Sequence, residues 1–179
     1  ALVFALRSLR EQIVDHDYVV TLDADGEDRP PVLAALLAPL LGSPENTRKV
    51  ALARRTRRRE SLPFKILYFF FRILFRALTG IVVRSGNYVA YRGWLARRLL
   101  FHPHFDLCYS SSFISLNLQV ELVPLERGRR YAGQSRMSYG RLLMHGFRML
   151  LPFTDQIAIR TLASRATVLF ADCAAMRSA

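Results

Sequence analysis

The 179 residues carry a net charge of +12, and 51% of them are apolar. This length and apolar content predict one folded domain with a substantial core and exclude an intrinsically disordered chain. No long apolar stretch is free of charge, so the sequence predicts no certain transmembrane helix.

The basic residues are concentrated in two segments. Residues 1–47 hold eight acids and three bases, whereas residues 48–76 hold ten bases and one acid, and residues 127–148 hold six arginines and no acid. Such segments predict a polyanionic partner: nucleic acid, anionic lipid or a phosphorylated substrate. Cys108 and Cys173 lie far apart without metal-site spacing, which favours reduced thiols in a cytosolic setting.

The hydrophobic pattern predicts alternating helices and strands. Apolar residues at helical spacing predict a helix within residues 1–14, and an apolar, β-branched run predicts a buried strand at residues 18–22. Two prolines then predict the start of a helix over residues 30–41. Further strands are predicted at residues 50–53, 81–91 and 120–123, and further helices at residues 63–80, 94–100, 108–116, 140–153 and 155–170, the last two amphipathic.

The predicted helix at residues 63–80 is rich in aromatic residues and carries Lys65, Arg72 and Arg76 along one face. Its apolar arc is wider than a surface helix of a small domain needs. Two interpretations follow. The helix could lie in a membrane interface, or it could be a core helix whose arginines extend their charged ends to water.

Two carboxylates one residue apart, Asp23 and Asp25, follow the predicted strand at residues 18–22. Ligands of open α/β sheets bind at the carboxyl ends of strands, and hard divalent cations prefer oxygen ligands. A haloacid-dehalogenase-type phosphatase would also need a later lysine and an acidic pair. Lys49 and Lys65 are both early, and no two acids lie close together after Asp28. The pattern instead favours a nucleotide-sugar transferase, in which a metal stabilises the departing diphosphate.

A second informative stretch, residues 126–139, alternates arginines with small residues just after the predicted strand at 120–123. Guanidinium groups bind phosphate in a bidentate manner, while Gly133 allows close backbone approach and Ser135 adds a hydroxyl donor. The stretch therefore predicts a phosphate-binding loop, with a solvated basic loop as the alternative.

Together the two stretches resemble the family 2 glycosyltransferases of the GT-A fold, in particular the polyprenyl-phosphate (dolichol-phosphate mannosyltransferase-like) branch. Residues 23–31 resemble that family's Asp-Ala-Asp-Leu-Gln-Asp-Pro-Pro, and residues 127–136 resemble its Arg-x-x-Arg-x-x-Gly-x-Ser-Lys, with arginine at the last position. Arg54-Arg55 and residues 85–88 fit the middle of the family pattern. The resemblance spans about residues 10–160.

The resemblance implies an α/β fold: a GT-A (Rossmann-like) nucleotide-sugar-binding domain over residues 1–140, truncated at its N-terminus, with amphipathic juxtamembrane helices over residues 141–179. It implies inverting hexosyl transfer from a nucleotide-sugar, with Mg²⁺ or Mn²⁺, to a membrane polyprenyl phosphate or a cell-envelope glycan. Asp25 would be catalytic, and Asp23 and Asp25 would bind the metal. The donor or lipid phosphates would be bound by Asp23, Arg54, Arg127, Arg130, Ser135 and Arg136.

One position departs from the family pattern. Many relatives carry an acid where this chain has Asn87, and a neutral amide cannot act as a general base. A phosphate acceptor is already ionised and tolerates this loss, whereas a sugar hydroxyl needs another base, for which Asp106 is the candidate. The expected location is the cytoplasmic face of a membrane.

Two other classes of function remain open. A basic nucleic-acid-binding protein would use the arginines for phosphate contacts, but RNA-binding sheets carry exposed aromatics, which here concentrate in one helix. No nucleic acid is therefore expected. A catalytically inactive adaptor at a membrane surface would account for Asn87.

Overall fold

The computed structural model describes residues 2–55, 62–83, 86–126, 128, 131 and 138–177, with the backbone alone at residues 55 and 168–177. The elements in chain order are α1 (Leu2–Ser8), β1 (Tyr18–Thr21), α2 (Leu33–Leu37), β2 (Lys49–Arg55), α3 (Leu62–Thr79), β3 (Val89–Arg92), α4 (Gly93–Leu100), α5 (Tyr109–Ser115), β4 (Gln119–Leu125), α6 (Tyr139–Leu150) and α7 (Thr154–Arg177). Short 3₁₀ turns at Pro30–Val32 and Ala38–Leu40 flank α2, and a third at Leu151–Phe153 joins α6 to α7.

The four strands form one mixed sheet in the order β1-β3-β2-β4. Strand β3 is antiparallel to both of its neighbours, whereas β2 and β4 are parallel. Strands β1, β2 and β4 therefore point in the same direction and end at one edge of the sheet, and β3 begins at that edge. The predicted α/β class is confirmed.

Helices cover both faces of the sheet, as the alternation of side chains along each strand requires. On one face, Val50 and Tyr91 pack with buried residues of α1, α4 and α5. On the other face, Ala51 and Ala90 pack with Leu36 of α2 and with neighbouring residues. This two-sided burial is what holds the strand ends in a constant arrangement.

A third apolar cluster lies where α3, α6 and the turn before α7 meet. Phe75 of α3 and Phe153 are both fully buried, and their rings pack edge to face with centroids 5.3 Å apart. Met149 of α6 and Cys108, which precedes α5, belong to the same cluster. The cluster attaches α3 and α6 to the rest of the domain.

Several predicted boundaries need correction. Strand β1 is only partly buried: it is an edge strand of the described sheet, Thr21 is its one buried residue, and Tyr18 is 36% exposed. The strand predicted at residues 81–91 is much shorter, since β3 covers only Val89–Arg92, whereas α3 ends at Thr79 and Gly80 follows it with a φ of +77°. The first helix ends at Ser8 rather than near residue 14.

Two predictions about helix faces are also corrected. The core-helix interpretation of α3 is wrong, because only Phe75 and Thr79 of that helix are buried and Phe69 and Phe70 are 59% and 62% exposed. Helix α7 is not amphipathic over its length, since its apolar residues are distributed around the helix. No helix in the described part of the chain combines the length and apolarity needed to cross a membrane.

Candidate active site at the sheet edge

The residues after β1 form a turn that we call the Asp turn (residues 23–28), and its own polar groups brace it. The Asp23 amide donates to Asp28 Oδ2 at 3.0 Å, and the Glu27 amide donates to Asp25 Oδ1 at 3.0 Å. Gly26 has a φ of +90°, a conformation that favours glycine. The Asp23 and Asp25 carboxylates are half-buried, so the turn presents them in a defined arrangement.

Asn87 meets the Asp turn because β3 starts where β1 ends. The Asn87 side-chain amide donates to Asp23 Oδ1 at 3.0 Å, and the Thr21 hydroxyl donates to the Asn87 carbonyl at 2.7 Å. On the other side, the Tyr88 hydroxyl donates to the Arg29 carbonyl at 2.8 Å. The neutral amide thus orients Asp23, a role that an acid at position 87 could not fill by donating a hydrogen bond.

Two described residues of the arginine segment (residues 127–136), Gly128 and Tyr131, lie against the Asp turn. The Tyr131 amide donates to the Asp25 carbonyl at 2.9 Å, and the Gly128 amide donates to the Glu27 carbonyl at 2.8 Å. A Cβ on Gly26 would be 2.7 Å from the Tyr131 ring, and a Cβ on Gly128 would be 2.5 Å from the Gly26 carbonyl oxygen. Both glycines are therefore needed for this close approach.

The other predicted site residues divide into three groups. Arg54 is exposed near the end of β2, opposite Pro124 of β4, and so lies toward the same sheet edge. Asp106 forms a bidentate ion pair with Arg7, at 3.0 and 2.9 Å, and does not line the cleft described next. Outside the described residues lie Arg127, Arg130, Ser135 and Arg136.

A cleft of about 320 Å³, the α3–α6 cleft, begins at the Asp turn and runs between these two helices. Asp23, Asn87, Ser110 and His145 are polar groups along it. The helices approach closely at Gly146, where a Cβ would be 3.1 Å from the Phe71 ring. Apolar and aromatic side chains form most of the walls, among them Phe64, Leu67, Phe71, Phe75, Leu142 and Met149.

Sequence reasoning missed His145 and Ser110. Burial, and then the nearby Arg148 charge, lower the pKa of His145 from its ordinary value. The available signal was a single histidine among apolar residues on the inner face of an amphipathic helix. Ser110 carried no comparable signal, because it lies in a run of three serines.

The carboxylates of the Asp turn fit a hard divalent cation. Among the described residues, no group of three or more His, Cys, Asp or Glu side chains could hold a metal ion. Magnesium in phosphate-transfer sites is commonly held by one or two carboxylates together with substrate phosphates and water. Two carboxylates such as Asp23 and Asp25 are the number of protein ligands that this mode requires.

The comparisons with known proteins add no relative. The sequence matches no protein-family model, no curated protein matches it, and no solved structure matches the chain. The resemblance to family 2 glycosyltransferases therefore depends on the motifs and their order.

Proposed function

We propose that this chain is the nucleotide-sugar-binding domain of an inverting glycosyltransferase whose acceptor is a membrane polyprenyl phosphate. The observation that carries the proposal is the meeting of the Asp turn, Asn87 and the start of the arginine segment at one sheet edge. In open α/β sheets, ligands bind at the carboxyl ends of the strands. Two carboxylates at such an edge suit a diphosphate bound with a metal, and the resemblance adds the arginines of residues 127–136 as phosphate-binding groups.

The residues of this chain would bind the donor and hold it in a defined orientation. Asp23 and Asp25 would hold Mg²⁺ or Mn²⁺, which when bound neutralises charge on a departing diphosphate. Asn87 would keep Asp23 in its orientation through the 3.0 Å hydrogen bond. The resemblance assigns phosphate binding to Arg127, Arg130, Ser135 and Arg136. In an inverting transfer, the acceptor oxygen attacks the anomeric carbon from the face opposite the departing diphosphate.

The α3–α6 cleft supports a lipid acceptor over a glycan. A sugar chain needs many hydrogen-bonding groups, whereas the described lining of this cleft is mainly aromatic and aliphatic. A polyprenyl phosphate combines an apolar chain with an ionised head, and the polar groups Asp23 and Asn87 lie at the Asp turn end. A phosphate nucleophile also suits a site in which position 87 is an amide.

The exposed faces of α3 and α6 support association with a membrane, and we propose the cytoplasmic face as the one bound. Phe69, Phe70 and Ile73 of α3, and Phe147 of α6, are all more than half exposed. Lys65 and Arg72 lie on α3 beside these residues and are also exposed. Apolar side chains flanked by basic ones are typical of helices that lie in an anionic membrane surface.

Donor hydrolysis tests the proposal directly. The full chain is incubated with Mn²⁺ and a series of UDP- and GDP-sugars, beside Asp25→Asn and the control Asp155→Asn, which makes the same chemical change at an exposed site on α7. We expect metal-dependent hydrolysis of one donor, lost in Asp25→Asn and retained in the control. Equal turnover in all three proteins would contradict the metal assignment. Salt-sensitive RNA binding without any nucleotide-sugar binding would favour the nucleic-acid alternative.

A further inference from the structure

His145 is a polar residue on the inner face of α6. It lines the α3–α6 cleft together with Leu142, Gly146 and Met149, which share that face at helical spacing. The outer face of the helix carries the exposed residue Met144. The imidazole therefore faces the cleft and is half-buried there.

The His145 ring has no hydrogen-bond partner within the described part of the chain. Half-buried polar groups are normally satisfied by protein, water or ligand. Burial, followed by the charge of Arg148, lowers the pKa of this imidazole, so the ring is neutral at neutral pH with one N–H donor. In the cleft, water or a bound ligand supplies the partner for that donor.

The cleft needs such a donor if its ligand is an anion. Among the described lining residues, His145 alone can become positively charged, while Asp23 is a carboxylate at the Asp turn end. Asn87 and Ser110 offer neutral donors, and an anionic head in the cleft is stabilised further by a group that can carry positive charge. An imidazole is suited to this because a neighbouring anion raises its pKa and strengthens the interaction.

We propose that His145 contacts the phosphate of a prenyl phosphate acceptor whose apolar chain lies along the aromatic wall of α3. The identity of the acceptor rests on the proposed function, whereas the contact rests on the position of His145 in the cleft. In this arrangement the prenyl chain of the ligand packs against Phe64, Tyr68 and Phe71. The phosphate of the ligand lies between His145 and the polar groups at the Asp turn.

Binding of the phosphate is coupled to proton uptake by His145. Arg148 on α6 is the charged group that acts on the ring. Of the other residues that line the cleft, Asp23 after β1 and Tyr68 on α3 can titrate, whereas Ser110 of α5 does not. The bound anion opposes the effects of burial and Arg148, and so raises the imidazole pKa above its value in the free protein.

Affinity and histidine NMR measurements on the full chain in detergent micelles test the contact. The ligands are farnesyl phosphate, farnesol and inorganic phosphate, and the variants are His145→Leu, His145→Gln and the control His16→Gln, an exposed histidine in the loop before β1. We expect farnesyl phosphate to raise the pKa of His145 and to bind about 10-fold or more weakly to His145→Leu. His145→Gln, which keeps an N–H donor, should retain part of the affinity, and His16→Gln all of it.

Each result supports or overturns the contact. Farnesyl phosphate that binds wild type and His145→Leu equally, without an imidazole shift, overturns it. Equal binding of farnesol and farnesyl phosphate does the same, because the phosphate is then not recognised. An equal shift with inorganic phosphate shows a simple anion site without a lipid. Circular dichroism of His145→Leu shows whether the variant is folded. If the variant is unfolded, the change in the His145 pKa of the wild-type protein on addition of farnesyl phosphate tests the contact instead. Failure of donor hydrolysis together with a positive shift would reject the proposed function and leave the contact standing.

Discussion

The Asp turn and the α3–α6 cleft adjoin at Asp23, yet they are built in different ways. The turn is held by backbone hydrogen bonds from Gly128 and Tyr131, by Asn87 and by two glycines that admit no side chain. The cleft is formed by side chains of two helices that approach at Phe71 and Gly146. A site made from backbone geometry tolerates little change, whereas an apolar cleft tolerates substitutions that keep volume and hydrophobicity.

This difference suits the two substrates in the proposed reaction. A nucleotide-sugar has charges at defined positions, and charge stabilisation depends on preorganised groups. A prenyl chain is flexible and apolar, so its binding depends mainly on buried area. The Asp turn would thus determine the chemistry at the donor, while the α3–α6 cleft would determine which acceptor is bound at the membrane.

The largest effect on activity is expected from Gly128→Ala. Its new Cβ would approach the Gly26 carbonyl oxygen, a backbone atom that cannot move without moving the Asp turn. We expect about 100-fold slower donor hydrolysis, because small misplacements of reacting groups have effects of this size. The free energy of unfolding should fall by about 1–3 kcal/mol. Initial rates and urea unfolding measure both.

Gly140→Ala is the matched control for this change. Gly140 lies at the start of α6, and a Cβ there meets nothing within 4 Å. The rate of donor hydrolysis by Gly140→Ala should equal that of the wild-type protein. If both alanine variants are equally active, the contact between the Asp turn and the arginine segment is not needed for donor chemistry.

A second effect, on membrane binding and not on donor chemistry, is expected from the pair Phe69→Ser and Phe70→Ser on α3. Both side chains are more than half exposed, so the stability should change little. Moving one phenylalanine from water into lipid contributes about 1.5–3 kcal/mol, so losing both should weaken binding to anionic vesicles by roughly 100-fold or more. Vesicle flotation measures this binding.

The control is Phe101→Ser, a residue that is 88% exposed in the turn after α4. Flotation should be unaffected by this change. Comparable losses in the control and in the double variant would show that exposed aromatics in general, and not the α3 face, bind the vesicles. Donor hydrolysis in micelles should be close to normal in both proteins.

The Asp turn and the α3–α6 cleft also differ in how far each could be predicted from the sequence. Asp23 and Asp25 were placed after a strand because an apolar run, paired acids and a proline pair are local signals. The contact of Asn87 with Asp23 could not be predicted, because it depends on β3 inserting antiparallel between β1 and β2. Strand order is determined by packing over the whole sheet, so the residue type at position 87 does not indicate which strand lies beside it.

The helical region was harder to predict for a different reason. The apolar arc of α3 has the same pattern whether the helix is covered by protein or lies exposed, so two interpretations remained open. Only the packing of Phe75 against Phe153 and the exposure of Phe69 separate them. His145 was overlooked because a lone histidine has no periodic signature.

The smallest effect is a pH dependence of stability that should arise in the cleft and not in the Asp turn. Burial first, and then Arg148, lower the pKa of His145 in the folded protein. The unfolded chain then binds more protons than the folded one near and below pH 6.5, the ordinary histidine value. Stability is therefore fully present above that pH and is lost as the pH falls toward the folded-state pKa.

His145→Gln should reduce the fall in Tm between pH 7.5 and pH 5.5, measured by circular dichroism. His102 provides the comparison, because burial and then His104 lower its pKa as well, and its ring bonds to Ser115 at 2.9 Å outside the cleft. His102→Gln replaces the ring that makes this contact with a side chain of different shape, so its Tm should be lower at both pH values, with a similarly reduced slope. Adding farnesyl phosphate should flatten the remaining slope only where His145 is present, since the bound anion raises the pKa of that imidazole. If farnesyl phosphate changes the pH dependence of Tm equally in His145→Gln and His102→Gln, acceptor binding does not involve His145.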